Sequence, residues 1–142
     1  MTRYAQGTDV PVSRSQEEVE RTLVRFGCQQ RAWMRDDAKP MIALAFTRKG
    51  LSYRMVMPLD KSGGERETRR RMRVVLLWLK AQCEMVDTGL MSFEDAFLPH
   101  AALPDGRTVA QAFQPQVQAM LTEGRMPSLT LSLPQGEGRR PA

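Results

Sequence analysis

The chain has 142 residues, of which 42% are hydrophobic and 26% are charged. A chain of this size can bury a conventional core, and its two cysteines are too few for a disulfide framework. No apolar run approaches the roughly 18 residues of a membrane-spanning helix.

The charge balance is basic, with 21 Lys and Arg against 16 Asp and Glu and a formal net charge of +5. This excess of cations permits binding to nucleic acid or to an acidic protein surface, without requiring either. The first residues, MTRYAQGTD, contain no apolar segment that can serve as a secretory signal. We therefore expect an intracellular protein whose two thiols are reduced.

The N-terminal region predicts a short strand and a helix. Thr8–Val12 can pair as an edge strand, because Pro11 excludes a central position in a sheet. Ser15 followed by Glu18 fits a capping box, so the first helix is expected at Gln16–Phe26.

Three candidate strands follow: Cys28–Arg35, Met41–Thr47 and Leu51–Met57. Apolar residues alternate along them, and the turn at Arg48–Gly50 supplies a tight reversal. The side chains assigned to one buried face are Met34, Ile42, Leu44, Phe46, Leu51, Tyr53, Met55 and Met57. The pattern predicts an antiparallel meander.

The longest element is a central helix at Glu65–Thr88, which runs for 24 residues without glycine or proline. Apolar residues recur along it at spacings of three and four residues: Met72, Val75, Leu76, Leu79, Cys83 and Val86. Further apolar residues widen this face, so we expect the sheet to cover one flank and the C-terminal segment the other.

Shorter elements complete the chain. Ser92 caps a short helix that ends near Leu98, and Thr108 caps a helix at Val109–Thr122, which Pro115 either kinks or splits. The segment from Met126 to Leu133 is expected to add an edge strand or to lie over the core.

Taken together, the elements predict an α+β fold. A small antiparallel sheet of three to four strands packs on the long central helix, with additional N- and C-terminal helices. Residues 1–133 are expected to form a single domain, and residues 134–142, rich in Gly and Pro, a disordered tail.

The sequence carries no metal or nucleotide motif, so no cofactor is expected. Its single histidine and two distant cysteines lack zinc spacing, and Gly63-Gly64 lacks the Lys-Ser/Thr of a phosphate loop. A catalytic His100 would need an orienting carboxylate from Glu94, Asp95 or Asp105, whereas the alternative is an ordinary loop histidine. Neither cysteine lies in a nucleophile motif, so we expect a protein that is not an enzyme.

An arginine cluster at the start of the central helix runs against local preference, because cations at a helix N-terminus oppose the helix dipole. One interpretation is a surface that contacts phosphates, with Trp33 or Tyr53 stacking on bases. The basic residues assigned to it are Arg31, Arg35, Arg48, Lys49, Arg54, Arg66, Arg69, Arg70 and Arg73. The other interpretation is a solvated helix start whose arginines point in unrelated directions.

Several segments of the chain resemble a family of small uncharacterised phage and prophage proteins. These segments are TDVPVSRSQEEVERTLVRFG, the Arg-rich entry to VVLLWLKAQCEMVDTGLMSFEDAFLPH, and LPDGRTVAQAF followed by EGRMPSL. The resemblance covers most of residues 4–131 and implies a cytoplasmic phage accessory protein in a bacterial host cell. It supplies no catalytic residues.

Two functional hypotheses follow. The first is a non-enzymatic accessory protein that binds DNA or RNA through an Arg-rich surface. The alternative is a protein-binding inhibitor or modulator of a host enzyme or defence complex. No membrane partner is expected. A homodimer is possible through edge strands at Thr8–Val12 or Leu129–Leu133.

Overall fold

The computed structural model describes residues 12–36, 38–59 and 61–126. The N-terminal residues before Val12, most of the strand predicted at Met126–Leu133 and the tail at 134–142 lie outside this part of the chain. Within it, the elements are α1 (Val12–Arg25), β1 (Arg31–Asp36), β2 (Met41–Arg48), β3 (Leu51–Pro58), α2 (Gly64–Asp87), α3 (Phe93–Phe97) and α4 (Val109–Glu123). A sheet packed with helices, one of them long and central, confirms the α+β prediction.

The three strands form an antiparallel sheet in the order β1-β2-β3, as the meander predicts. Lys49 and Gly50 join β2 to β3 with φ of 51° and 77°, the left-handed pair that a two-residue hairpin turn requires. β1 begins three residues later than predicted, because Cys28 is still part of the C-terminal end of α1. Its N–H donates a hydrogen bond to the carbonyl of Leu23.

One face of the sheet lies in the core and the other is the outer face. The buried side chains of the core face are Ile42, Leu44, Phe46, Tyr53, Met55 and Met57. Met34 pairs with Ala43, so it lies on the outer face and is 51% exposed. Leu51, at the very start of β3, is also exposed. The assignment of Met34 to the buried face was therefore wrong, whereas Leu51 is on the core face by its pairing with Arg48 but remains exposed.

Helices α1 and α2 cover the core face side by side. Their buried side chains are Val19, Leu23, Met72, Leu76, Leu79 and Cys83. Glu18, in the middle of α1, lies near Arg73 and Lys80 of α2. Cys28, just after the end of α1, is close enough to Cys83, farther along α2, to help raise its pKa. The two helices therefore run in the same direction. A second flank of α2 is thus covered by α1, which the sequence did not predict, while Phe97 and His100 of the C-terminal segment pack against Trp78 of α2.

Helix α1 starts at Val12, four residues before the predicted start, so Val12 is helical and Ser15 lies within the helix. Ser15 is fully buried, and its Oγ has no hydrogen-bond partner among the described residues. The predicted capping box is wrong, because Ser15 packs inward and Glu18 faces the cations of α2.

The last two helices begin as predicted. Ser92 Oγ accepts a hydrogen bond of 3.1 Å from the N–H of Asp95, and Thr108 forms a reciprocal capping box with Gln111. Helix α4 continues through Pro115 as one element. Between α3 and α4, a 3₁₀ turn at Leu98–His100 leads to residues that pair with the edge of β3.

Among the described helices, none has the length and apolar character that crossing a membrane requires.

Candidate nucleic-acid interface

The first turns of α2 carry four arginines on one side of the helix. At 3.6 residues per turn, their positions fall within an arc of about 100° that lies beside the buried stripe. These residues are Arg66, Arg69, Arg70 and Arg73. Arg71 points away from Arg69 and donates from Nη1 to the carbonyl of Pro58 in β3. The predicted cluster is therefore one group of four, with Arg71 outside it.

Helix α1 adds three arginines that the sequence analysis missed. Arg14, Arg21 and Arg25 are exposed and lie within an arc of about 40° at 3.6 residues per turn. Glu18, which contacts α2, is on the same side of α1. The three side chains therefore lie on the outward side of α1, and Arg21 borders a hollow with Glu20 and Arg31 on the flank towards β1. Their spacing of seven and four residues along the sequence could have shown that they share one side of α1.

These seven side chains form what we call the α1–α2 arginine surface. Its members are Arg14, Arg21, Arg25, Arg66, Arg69, Arg70 and Arg73. Arg73 lies at the seam between the two helices, whereas Arg70 borders a hollow with Met57 and Pro58 of β3 and Arg21 lies on the flank of α1 towards β1.

Two members of the α1–α2 arginine surface are paired with carboxylates. Arg70 donates to Glu67, with 2.6 Å from Nη2 to Oε1, and Arg73 lies 3.6 Å from Glu18. Hydrogen bonds from Arg70 and Arg71 hold the pKa of Glu67 at about 2, well below its ordinary value. Part of the positive charge at the start of α2 is therefore neutralised.

The remaining five members have no carboxylate partner among the described residues. They are Arg14, Arg21, Arg25, Arg66 and Arg69. The Nε of Arg69 is buried, and no described group accepts a hydrogen bond from it. Five guanidinium groups on neighbouring helices thus lack an ion pair with a described carboxylate, although Arg21 shares its hollow with Glu17 and Glu20. Arginines without an ion pair favour an anionic ligand.

Two basic residues of the sheet hold neighbouring elements together, and one of them, Arg31, also lies 3.7 Å from Glu20 of α1. Arg48 is held inside the fold by Phe26 and Glu94, with 3.0 Å from its Nε to the Phe26 carbonyl oxygen and 2.9 Å from Nη1 to Glu94 Oε1. Arg31 donates to the carbonyls of Cys28 and Gln29. These two arginines stabilise connections between elements.

Three other basic residues of the sheet occupy different places. Arg54 lies on the outer face of the sheet, with Nη1 3.4 Å from the carbonyl oxygen of Gly106. Lys49 lies in the β2–β3 turn and Arg35 on the edge strand β1. Arg54 and Lys49 therefore lie apart from the arginines of α2, whereas Arg35 pairs with Ile42 and so lies on the core face of the sheet.

Neither aromatic candidate presents a ring for base stacking. Tyr53 is 2% exposed and its ring stacks on Phe46, with 5.3 Å between ring centroids. Trp33 pairs with Leu44 on the core face and is partly buried. The prediction of stacking by Tyr53 is wrong, because the side that carries Tyr53 faces the helices.

His100 lies in the 3₁₀ turn after α3 and packs against Trp78, with 5.3 Å between ring centroids. Burial lowers the pKa of His100, while a hydrogen bond to the backbone of Arg54 acts in the opposite direction. Of the carboxylates considered as its partners, Glu94 pairs with Arg48 and Asp105 with Arg107. Through its hydrogen bond to the backbone of Arg54, His100 connects the 3₁₀ turn to β3.

Over the described ranges, no three His, Cys, Asp or Glu side chains gather in a way that could hold a metal ion.

Comparison of the chain with protein-family models, with curated proteins and with solved structures finds no match in any of the three.

Proposed function

We propose that this chain is a non-enzymatic accessory protein that binds the phosphate backbone of DNA or RNA through the α1–α2 arginine surface. The observation that carries the proposal is the presence of seven arginines on two neighbouring helices, five of them without an ion pair to a carboxylate in the described structure. The resemblance of the sequence to small phage and prophage proteins is in keeping with such a role.

A phosphate ligand would relieve two local costs at the start of α2. Cations near a helix N-terminus are opposed by the dipole, typically by about 0.3–1 kcal/mol each at exposed positions. The buried Nε of Arg69 also lacks an acceptor among the described residues. A phosphate oxygen accepts hydrogen bonds from guanidinium groups and is itself favoured by the helix N-terminus.

The burial of Tyr53 and the inward position of Trp33 favour backbone contact over recognition of single-stranded bases. Proteins that bind single strands without sequence preference combine a basic groove with exposed aromatic rings. Arginines without such rings bind mainly through electrostatic attraction to phosphates, which does not depend on sequence. We therefore infer that a duplex is the preferred ligand.

Fluorescence anisotropy with a labelled duplex and a labelled single strand, each at two salt concentrations, tests this proposal. We expect Arg66→Gln/Arg69→Gln to weaken duplex binding and to lower the slope of log K against log salt by about 2, since each lost phosphate contact lowers it by about 1. Glu67→Gln should tighten binding, because it removes the carboxylate that neutralises Arg70.

The matched control is Lys39→Gln/Lys49→Gln, which removes the same charge from exposed turns at the ends of the sheet strands. Circular dichroism establishes that each variant is folded. Equal weakening by the two double variants would show that net charge, rather than the α1–α2 arginine surface, governs binding. Absence of wild-type binding at low salt would overturn the proposal.

A further inference from the structure

Strand β1 forms one edge of the sheet, because β2 lies on one side of it and no described strand on the other. The N–H and the carbonyl of Thr47 both bond to the residues just before β1, and the pairing alternates along an antiparallel ladder. The backbone groups of the even-numbered residues of β1 therefore face β2, whereas those of Arg31, Trp33 and Arg35 point outward. Such a row of outward N–H and C=O groups is a template for one more strand.

Helix α1 lies over this edge and begins at the end of the sheet where β1 finishes. Glu20 Oε1 of α1 lies 3.7 Å from Arg31 Nε at the start of β1. Arg48, the last residue of β2, donates to the carbonyl of Phe26, which follows α1. The helix therefore ends where β1 begins, and its first turn lies towards the end of β1.

The chain that precedes α1 consequently emerges beside the end of β1. From Glu20 back to Val12, the helix spans about 12 Å at 1.5 Å per residue. From Arg31 to Arg35, the strand spans about 13 Å at 3.3 Å per residue. Val12 and Arg35 thus lie near one level, and residues 1–11 lead into the helix at this point.

The residues directly before α1 suit an extended strand with an acidic group. Thr8 and Val10 are β-branched, and Val10 precedes Pro11, which biases it towards an extended backbone. Asp9 supplies a carboxylate within three residues of the start of α1. Opposite charges on neighbouring strands stabilise their pairing, so this carboxylate is complementary to Arg35.

We propose that residues 8–10 of the chain bind along the outward edge of β1 as a fourth strand. A strand that leads into α1 at this point runs in the same direction as β1, so the two pair in parallel. Asp9 lies beside Arg35, and the segment forms hydrogen bonds with the backbone of Trp33 and Arg35. The edge of β1 is therefore a strand-docking site that the chain fills itself, which protects it from pairing with other chains.

Other occupants fit this edge less well. The antiparallel pairing of two β1 strands that forms the most hydrogen bonds is centred on Trp33, and it sets Arg31 opposite the partner's Arg35. Like charges directly opposite each other destabilise such a pair. The C-terminal segment follows α4, and α4 packs chiefly against the 3₁₀ turn beside β3, which is the opposite edge of the sheet. The N-terminal segment, by contrast, begins beside β1.

Amide hydrogen exchange followed by NMR on the full-length chain tests this inference. The N–H groups of Trp33 and Arg35 should exchange slowly, although they point away from β2. In a chain that lacks residues 2–10, these two groups should exchange faster by about tenfold or more. The N–H groups of Ala32 and Met34, which face β2, should stay slow in both chains and so establish that the sheet is folded.

Charge reversal gives a second test without shortening the chain. Asp9→Arg places a cation beside Arg35 and should speed the exchange of the Trp33 and Arg35 amides. The double variant Asp9→Arg/Arg35→Glu restores opposite charges and should restore slow exchange. Glu84→Arg is the matched control, because it makes the same change of charge at an exposed position of α2 and should leave exchange in β1 unaltered.

Three results would overturn the proposal. Fast exchange of the Trp33 and Arg35 amides in the wild-type chain means that no strand pairs with this edge. Protection that appears only at high protein concentration assigns the edge to a second copy. Protection that survives removal of residues 2–10 excludes the N-terminal segment, and its loss on removal of residues 127–142 assigns the edge to the C-terminal segment.

Discussion

At the scale of single residues, Arg48 shows how one side chain joins three elements. It extends from β2, donates to the Phe26 carbonyl after α1 and pairs with Glu94 of α3. Its guanidinium also lies 4.2 Å from the centre of the Phe93 ring. The sequence predicted that Arg48 belongs to a ligand-binding surface, because its charge is visible in the sequence. Its partners Phe26 and Glu94 are 22 and 46 residues away, so the sequence does not show that they enclose it.

Replacing Arg48 by Ala is expected to destabilise the fold by about 2–3 kcal/mol, since hydrogen bonds to charged groups contribute about 1.5–3 kcal/mol each and the packing on Phe93 is lost as well. Urea unfolding followed by circular dichroism measures this change. Arg125→Ala removes an exposed arginine whose partner among the described residues is nearby Glu123, and its unfolding midpoint should hardly move. Equal effects of the two variants would contradict the structural role given to Arg48.

At the scale of elements, the start of α2 is held by Glu67. Its carboxylate accepts hydrogen bonds from Arg70 and Arg71, and Arg71 in turn donates to the end of β3. This arrangement keeps Arg70 and Arg71 in place, and it lowers the pKa of Glu67 to about 2. The first turns of α2 are thus connected to the sheet through one acidic residue.

Because the pKa of Glu67 is lower in the folded chain than its ordinary value of 4.5, its ionised form stabilises the fold at pH above 4.5. That contribution is lost as the pH falls from 4.5 to about 2. The stability difference between wild type and Glu67→Gln should therefore be constant near neutral pH and shrink through this range. Urea unfolding at several pH values measures it. A difference that stays constant down to pH 2 would contradict the assignment.

The elements that were predicted well are those whose signals are local. The absence of Gly and Pro places α2 within one residue of its observed ends, and the side-chain caps at Ser92 and Thr108 place the starts of α3 and α4. Helix α1 was misplaced at its start because Ser15 satisfies a local capping pattern, while its burial against other elements is a tertiary effect. The exposure of Met34 likewise follows from strand register.

At the scale of the whole molecule, the two-layer fold separates surfaces that the sequence analysis had combined. The arginines of α1 and α2 border the helix layer, whereas Arg54 lies across the sheet on its outer face. Which charges share a surface depends on the side of the sheet that the helices cover. Periodicity identified the alternating faces of β2 and β3, but the partnership of α1 with α2 required the structure.

The two cysteines report on the integrity of this two-layer core. Cys28 follows α1 and Cys83 lies on α2, and both are buried in the same apolar cluster. Burial raises the pKa of each thiol to about 11, so that at pH 8 roughly one thiol in a thousand is ionised even before access is considered. Both thiols should therefore react with a disulfide reagent only when α1 and α2 separate from the sheet.

We expect thiol labelling at pH 8 to be slow in the folded chain and to accelerate with urea along the same curve as the loss of helical circular dichroism. Coincidence of the two curves means that α1, α2 and the sheet unfold together. Leu90→Cys supplies an exposed thiol that should react at once without urea, which establishes that the reagent is active. If one native thiol reacts before the helical signal falls, the end of α1 opens separately and the core is not a single cooperative unit.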